Sequence, residues 1–168
     1  MSYFGKTNIV MVGMPGAGKS TIGVLLAKEM SMNFLDVDVF IQGHEGRRLQ
    51  EIIDHDGIDT FKHLEEKYLG EINVSSYVIS TGGSAIYSKK GISHLKQSSI
   101  VVYLNINLET LKERIGDFST RGVVIKKGQT FLDLFKERCG LYAAEADIEI
   151  DCNGKSMEEI VDEIKSAI

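Results

Sequence analysis

The chain has 168 residues, 43% apolar and 26% charged, which is enough for one domain with a substantial core. Its 19 Lys and Arg against 24 Asp and Glu leave a net charge of −5, which argues against a binder of nucleic-acid backbone, since that needs a basic face. No apolar run approaches the roughly 20 residues of a membrane span, Met1 to Ile9 carry no apolar signal region, and Cys139 and Cys152 have no metal or redox spacing, so a cytoplasmic protein with two reduced thiols is expected.

Asn8 to Val12 reads as a buried strand, because Ile9, Val10, Met11 and Val12 are contiguous and apolar. A glycine-rich turn follows, and Ile22, Leu25, Leu26 and Met30 then recur at helical spacing. Between them, Gly13-Met14-Pro15-Gly16-Ala17-Gly18-Lys19-Ser20 fits G-x-x-x-x-G-K-[ST], a phosphate loop. Glycines let successive backbone N–H groups turn inward around phosphate oxygens, and the helix that starts near Lys19 aims its positive end at them. Lys19 is placed to reach the β- and γ-phosphates of a nucleotide, and the Ser20 hydroxyl to ligate Mg²⁺. The preceding strand and the following helix supply the context that the motif requires. The motif by itself establishes nucleotide binding only. No N-K-x-D for reading guanine occurs, and the D-x-x-G at Asp54 to Gly57 follows a helical segment and reads as chance.

Phe34 and Leu35 open a second strand whose end carries Asp36 and Asp38. In an extended chain, residues i and i+2 share a side. The two carboxylates are therefore expected together beside the phosphate loop, suited to a Mg²⁺ contact and to activation of a hydroxyl. Leu49, Ile52 and Ile53 mark a helical turn interrupted by Gly57, and Phe61, Leu64, Tyr68, Leu69 and Ile72 line one face of a longer helix. Taken alone, Lys62 and Glu65 on that helix read as an exposed i,i+3 pair. Tyr77 to Ser80 is a third strand, ended by Thr81-Gly82-Gly83, and Ile100 to Leu104 is a fourth, followed by a helix carrying Leu108, Leu111 and Ile115. Residues 116–128 hold three glycines, cations and little periodicity, and read as a mobile lid. Phe131, Leu132, Leu134, Phe135 and Tyr142 return to helical spacing. Ile148 and Ile150 alternate with acids as in a half-buried strand, and Ser156 with Glu159 forms a capping box that opens a last helix. His44, His55, His63 and His94 form no spaced cluster, so no histidine metal site is expected. Strands alternating with helices predict a parallel sheet covered on both faces, with the site at the carboxyl ends of the strands.

The ordered set of motifs resembles the shikimate kinase family. The phosphate loop Gly13 to Thr21 is followed by Asp36-Val37-Asp38, Phe61-Lys62-His63-Leu64-Glu65, Thr81-Gly82-Gly83-Ser84, Arg121 and Arg138-Cys139-Gly140-Leu141-Tyr142, in the family's order and spacing. The resemblance implies one three-layer α/β domain over residues 1–168, with a five-stranded parallel sheet of the P-loop kinase type, a lid at about 116–128 and acceptor-binding helices at about 38–73. It implies transfer of the ATP γ-phosphoryl group to the 3-hydroxyl of shikimate, a step of aromatic amino-acid biosynthesis. By position, Gly16, Ala17, Gly18, Lys19, Ser20 and Thr21 would cradle ATP, and Arg114 would stack on adenine opposite a wall formed by Asn153 to Met157. Ser20 and Asp36 would serve Mg²⁺. Asp38 would bind and activate the hydroxyl, while Lys62, Gly82, Gly83 and Arg138 would hold the acceptor and its carboxylate. Lys19, Asp38 and Arg121 would be the catalytic set, with Arg121 closing over the phosphates. The chain departs from the family's pattern in four places: Lys62 stands for an arginine, Ser84 for a third glycine, and Gly122 and Gly140 each for a proline. Two alternatives share the fold: a kinase of another small hydroxy acid or amino acid, and a nucleotide-binding module without turnover. A monomer acting on a small carboxylate-bearing acceptor, without nucleic-acid or membrane partners, is the expectation.

Overall fold

The structure, a computed structural model, describes residues 5–115 and 128–168. The predicted lid therefore lies outside the described residues except for Gly128, as does Arg121. Five strands are described, β1 (Asn8–Val12), β2 (Asn33–Asp36), β3 (Tyr77–Ser80), β4 (Ser99–Asn105) and β5 (Ile148–Asp151). They form one parallel sheet in the order β2-β3-β1-β4-β5. Every residue of β1 and six of the seven in β4 are buried, so both faces of the sheet's centre are covered.

The helices follow as α1 (Lys19–Glu29), α2 (Val37–Glu45), α3 (Leu49–Asp56), α4 (Ile58–Glu71), α5 (Lys89–Lys96), α6 (Leu108–Ile115), α7 (Phe131–Glu145) and α8 (Met157–Ala167). α1 and α8 pack on one another and against β2, β3 and β5, while α4, α5 and α7 form a second group that reaches β4. Gly23, in the interior of α1, lets that helix lie close to β2: a Cβ there would sit 2.7 Å from the Phe34 ring. The Ser156–Glu159 capping box forms as predicted, with Ser156 N donating to the Glu159 carboxylate at 2.7 Å and Glu159 N to Ser156 Oγ at 3.2 Å.

Two helices carry no clear sequence signal. α2 begins directly at the end of β2, and α5 buries only Gly91, Ile92 and Leu95 in a segment that also holds Lys89, Lys90 and Lys96. The first of these overturns the reading of Asp36 and Asp38 as two residues of one extended strand. β2 ends at Asp36, whose Oδ1 accepts from the backbone N–H groups of Asp38 (2.9 Å) and Val39 (3.2 Å) and so starts α2. Asp38 thus lies in the first helical turn, and what unites it with Asp36 is a helix cap. The chance reading of the D-x-x-G stands: it is the last turn of α3, closed by Gly57.

Candidate active site

A cleft of about 810 Å³ opens where the carboxyl ends of the strands meet α1, and Pro15, Lys19, Asp38, Gly82, Arg114 and Arg138 all line it. Its floor is the phosphate loop. Gly18 has φ of +95° and ψ of 12°, a left-handed turn that glycine adopts without a Cβ clash, and it delivers the chain into α1. The first N–H groups of α1 have no partners within the helix and face the cleft with its positive end. Lys19 is 8% exposed, and its Nζ donates to the backbone carbonyls of Gly13 (2.8 Å) and Met14 (2.9 Å). Burial pushes the ammonium down to about 8, against the pull of Asp38.

The register of the sheet brings two further oxygens to this floor. Asp36 of β2 lies beside Ser80 of β3, and Ser80 beside Met11 of β1. Ser20 Oγ donates to Asp36 Oδ2 at 2.6 Å and lies 3.2 Å from Ser80 Oγ. Ser80 was not anticipated from sequence, because a lone serine at a strand end carries no motif.

The acceptor side is built on the turn Gly82-Gly83. A Cβ on Gly82 would lie 2.7 Å from Asp38 Oδ1 and 3.0 Å from Glu65 Oε1, so both carboxylates pack onto this turn. Burial, and next the negative Asp36, raise Asp38 to about 6, opposed by Lys19. Glu65 is only 2% exposed, so the surface pair that these residues suggest when taken alone does not form, and burial raises it to about 7. Ser84 Oγ donates to both its carboxylate oxygens, at 3.0 and 2.9 Å. Arg138, on α7, is 1% exposed, with its guanidinium 5.3 Å from the Tyr87 ring centroid and its Nε donating to Tyr87 Oη at 3.5 Å. Tyr142, one turn further along α7, donates to the Gly83 carbonyl at 2.6 Å and pins the turn from behind. Lys62 is half-buried on α4 and does not line the cleft among the described residues, although its charge favours the ionised form of Glu65. Leu49, Ile53 and Phe61 supply apolar wall.

At the opposite end, exposed Arg114 and Met157 flank the entrance, with Arg114 Nη1 about 4.0 Å from where a Gly18 Cβ would be. The structure thus brings together Gly16, Gly18, Lys19, Ser20, Thr21, Asp38, Gly82, Gly83, Arg114 and Arg138 from the predicted site, while Asp36 stands behind Ser20.

A phosphate loop on a parallel α/β sheet, with a buried cation and a carboxylate facing a second pocket across the same cleft, defines a P-loop kinase of small molecules. The shikimate kinase family model matches residues 15–168. The shikimate kinase of Persephonella marina is 36% identical over 165 residues, covering 96% of this chain and 98% of that protein. Among solved structures, the shikimate kinase of Acinetobacter baumannii in complex with shikimate superposes with a TM-score of 0.88 at 32% identity, covering 96% of this chain and 92% of that one. The shikimate kinase of Aquifex aeolicus gives 0.81 at 31%, covering 95% of each. The chain belongs to the shikimate kinase family, and as a member of it uses ATP.

Proposed function

We propose that this chain transfers the γ-phosphoryl group of ATP to the 3-hydroxyl of shikimate. The observation that carries the reading is the meeting of two half-sites in one cleft: the phosphate loop with buried Lys19 on one side, and Asp38, the Gly82-Gly83 turn and buried Arg138 on the other. The Acinetobacter kinase was solved in complex with shikimate, and its backbone similarity to this chain supports the same acceptor here.

Mg²⁺ fits the residues present. Ser20 and Asp36 offer hard oxygens 2.6 Å apart at the loop, and a magnesium ion takes one or two such protein ligands together with phosphate oxygens and water. Ser20 would hold it directly and Asp36 from the outer shell, and the ion would neutralise charge on the phosphates. The N–H groups of Gly16 to Thr21 bind the phosphate oxygens. Lys19 exchanges its carbonyl partners for phosphate and stabilises the charge that develops there. Asp38 orients the acceptor hydroxyl and receives its proton on a carboxylate oxygen late in the transfer, since phosphoryl transfer asks for positioning more than covalent help. Arg138 grips the acceptor's carboxylate, with Lys62 adding charge and the Gly83 N–H a hydrogen bond. Arg114 and Met157 sandwich the base, and α2, α3 and the start of α4 are the acceptor-binding helices. A monomer in the cytoplasm, where Cys139 and Cys152 stay reduced, completes this reading.

The test is ADP release measured over a panel of hydroxy acids. Saturable, acceptor-dependent release with shikimate is expected. Release with another hydroxy acid and none with shikimate would overturn the acceptor assignment.

A further inference from the structure

Glu65 is a carboxylate at 2% exposure, behind the acceptor turn, and among the described residues Ser84 is its sole hydrogen-bond donor. Ser84 comes from another element, 19 residues on, at the end of the turn after β3. Its backbone sits at φ −86° and ψ −15°, ordinary for any residue, so the side chain is accommodated without strain. Its hydroxyl does not cap the 3₁₀ turn Ala85–Tyr87 that it precedes and is given wholly to Glu65. Ser84 itself faces the cleft, whereas Glu65 does not. The charged groups acting on Glu65 are Asp38 from α2, Arg138 from α7 and Lys62 from its own helix, and the two cations favour its ionised form. Lys90 of α5 lies near Glu66 instead, at 3.9 Å, and the α3 carboxylates Glu51 and Asp54 are taken up locally by Arg48 N and Gln50.

We infer that Ser84 is a positioning residue for the acceptor: by donating to both Glu65 oxygens it fixes that buried carboxylate against the Gly82-Gly83 turn, beside which Arg138 stands ready for the acceptor's carboxylate. A buried anion deprived of its one donor takes up a proton more readily. Once neutral and free to turn, it no longer packs on Gly82 in one place, and the acceptor meets a less ordered turn. The nucleotide half of the cleft lies on the other side of Asp38 and is untouched by this pair. The inference rests on the reading that the acceptor carries a carboxylate.

Two measurements test it in the full chain. Carboxyl ¹³C NMR follows Glu65 titration without any ligand. Steady-state ADP release gives the Michaelis constants for shikimate and ATP. In Ser84→Ala the Glu65 midpoint should move up by about one unit or more, the worth of a hydrogen bond to a charged group. The shikimate constant should rise about fivefold or more while the ATP constant stays within about twofold. Ser84→Thr, which keeps the hydroxyl, should restore both. Glu65→Gln, which cannot ionise, should raise the shikimate constant alone, and Ser84→Ala should add little on top of it. An unmoved midpoint, or equal rises in both constants, overturns the inference. If wild-type protein turns over no shikimate, the acceptor reading falls instead; a displaced midpoint then upholds Ser84 as the holder of Glu65, and an unmoved one removes that too.

Discussion

Replacing Gly82 by alanine isolates the position of Asp38 from its chemistry. The backbone at Gly82 is outside the left-handed region, so alanine meets no conformational penalty there. Its Cβ, however, would sit 2.7 Å from Asp38 Oδ1 and 3.0 Å from Glu65 Oε1, and ordinary contact begins at 3.4 Å. Asp38 Oδ1 must retreat by about 0.7 Å and Glu65 Oε1 by about 0.4 Å. Neither yields freely: Asp38 is anchored in the first turn of α2 beside its cap, and Glu65 is held by Ser84. A misplacement of about 1 Å at a reacting group costs on the order of 10²-fold in rate, so turnover with shikimate should fall roughly 10- to 100-fold. Overpacking at a buried turn should lower stability by about 1–3 kcal/mol, or several degrees in Tm for a chain of this size. ATP affinity, measured by calorimetry, should remain within about twofold, because the phosphate loop is not disturbed. Gly140→Ala is the control: on α7 its Cβ meets nothing within 4 Å, and alanine in a helix interior should stabilise by about 0.5–1 kcal/mol with unchanged turnover. A folded Gly82→Ala protein with turnover within about twofold of wild type would refute the reasoning, since the carboxylate would then be free to move without consequence.

Lys19→Ala should lower turnover on the order of 10²–10³-fold in a protein whose circular dichroism is unchanged; near-normal ADP release would contradict the transition-state role. Asp38→Asn fills the same space but accepts no proton, so turnover should fall far more than ATP affinity, and the reverse pattern would place Asp38 on the nucleotide side. Arg138→Ala should raise the shikimate constant about tenfold or more, and Lys62→Ala less, because Arg138 lines the cleft and Lys62 does not; equal effects would show that Lys62 enters the pocket on binding. Glu65 has a folded-state midpoint raised from 4.5 to about 7, so its contribution to stability is full below 4.5 and is lost as pH rises through 7. The Tm of Glu65→Gln relative to wild type should therefore climb between pH 4.5 and 7 and then level off, and a difference independent of pH would show that Glu65 is not titrating in that window.

Much of the fold and one half of the site were legible in the order of residues. The strand Ile9 to Val12, the phosphate loop and the first apolar positions of α1 are consecutive, and their roles depend on backbone geometry that glycine, lysine and serine impose locally. Local chemistry also announced the Ser156 cap, which forms as read. The acceptor half was legible only as a resemblance, because its residues come from α2, α4, the turn after β3 and α7, and no local rule states which of them meet. Tertiary structure decided three things there. It ended β2 at Asp36, because a carboxylate that caps two N–H groups is more stable starting a helix than extending a strand. It moved Glu65 from an apparent surface pair to the interior, where a carboxylate needs a donor and, among the described residues, finds one only in Ser84, 19 residues on. And it set Asp36, Ser80 and Ser20 side by side through the register of parallel strands, a long-range pairing that residue order alone does not encode.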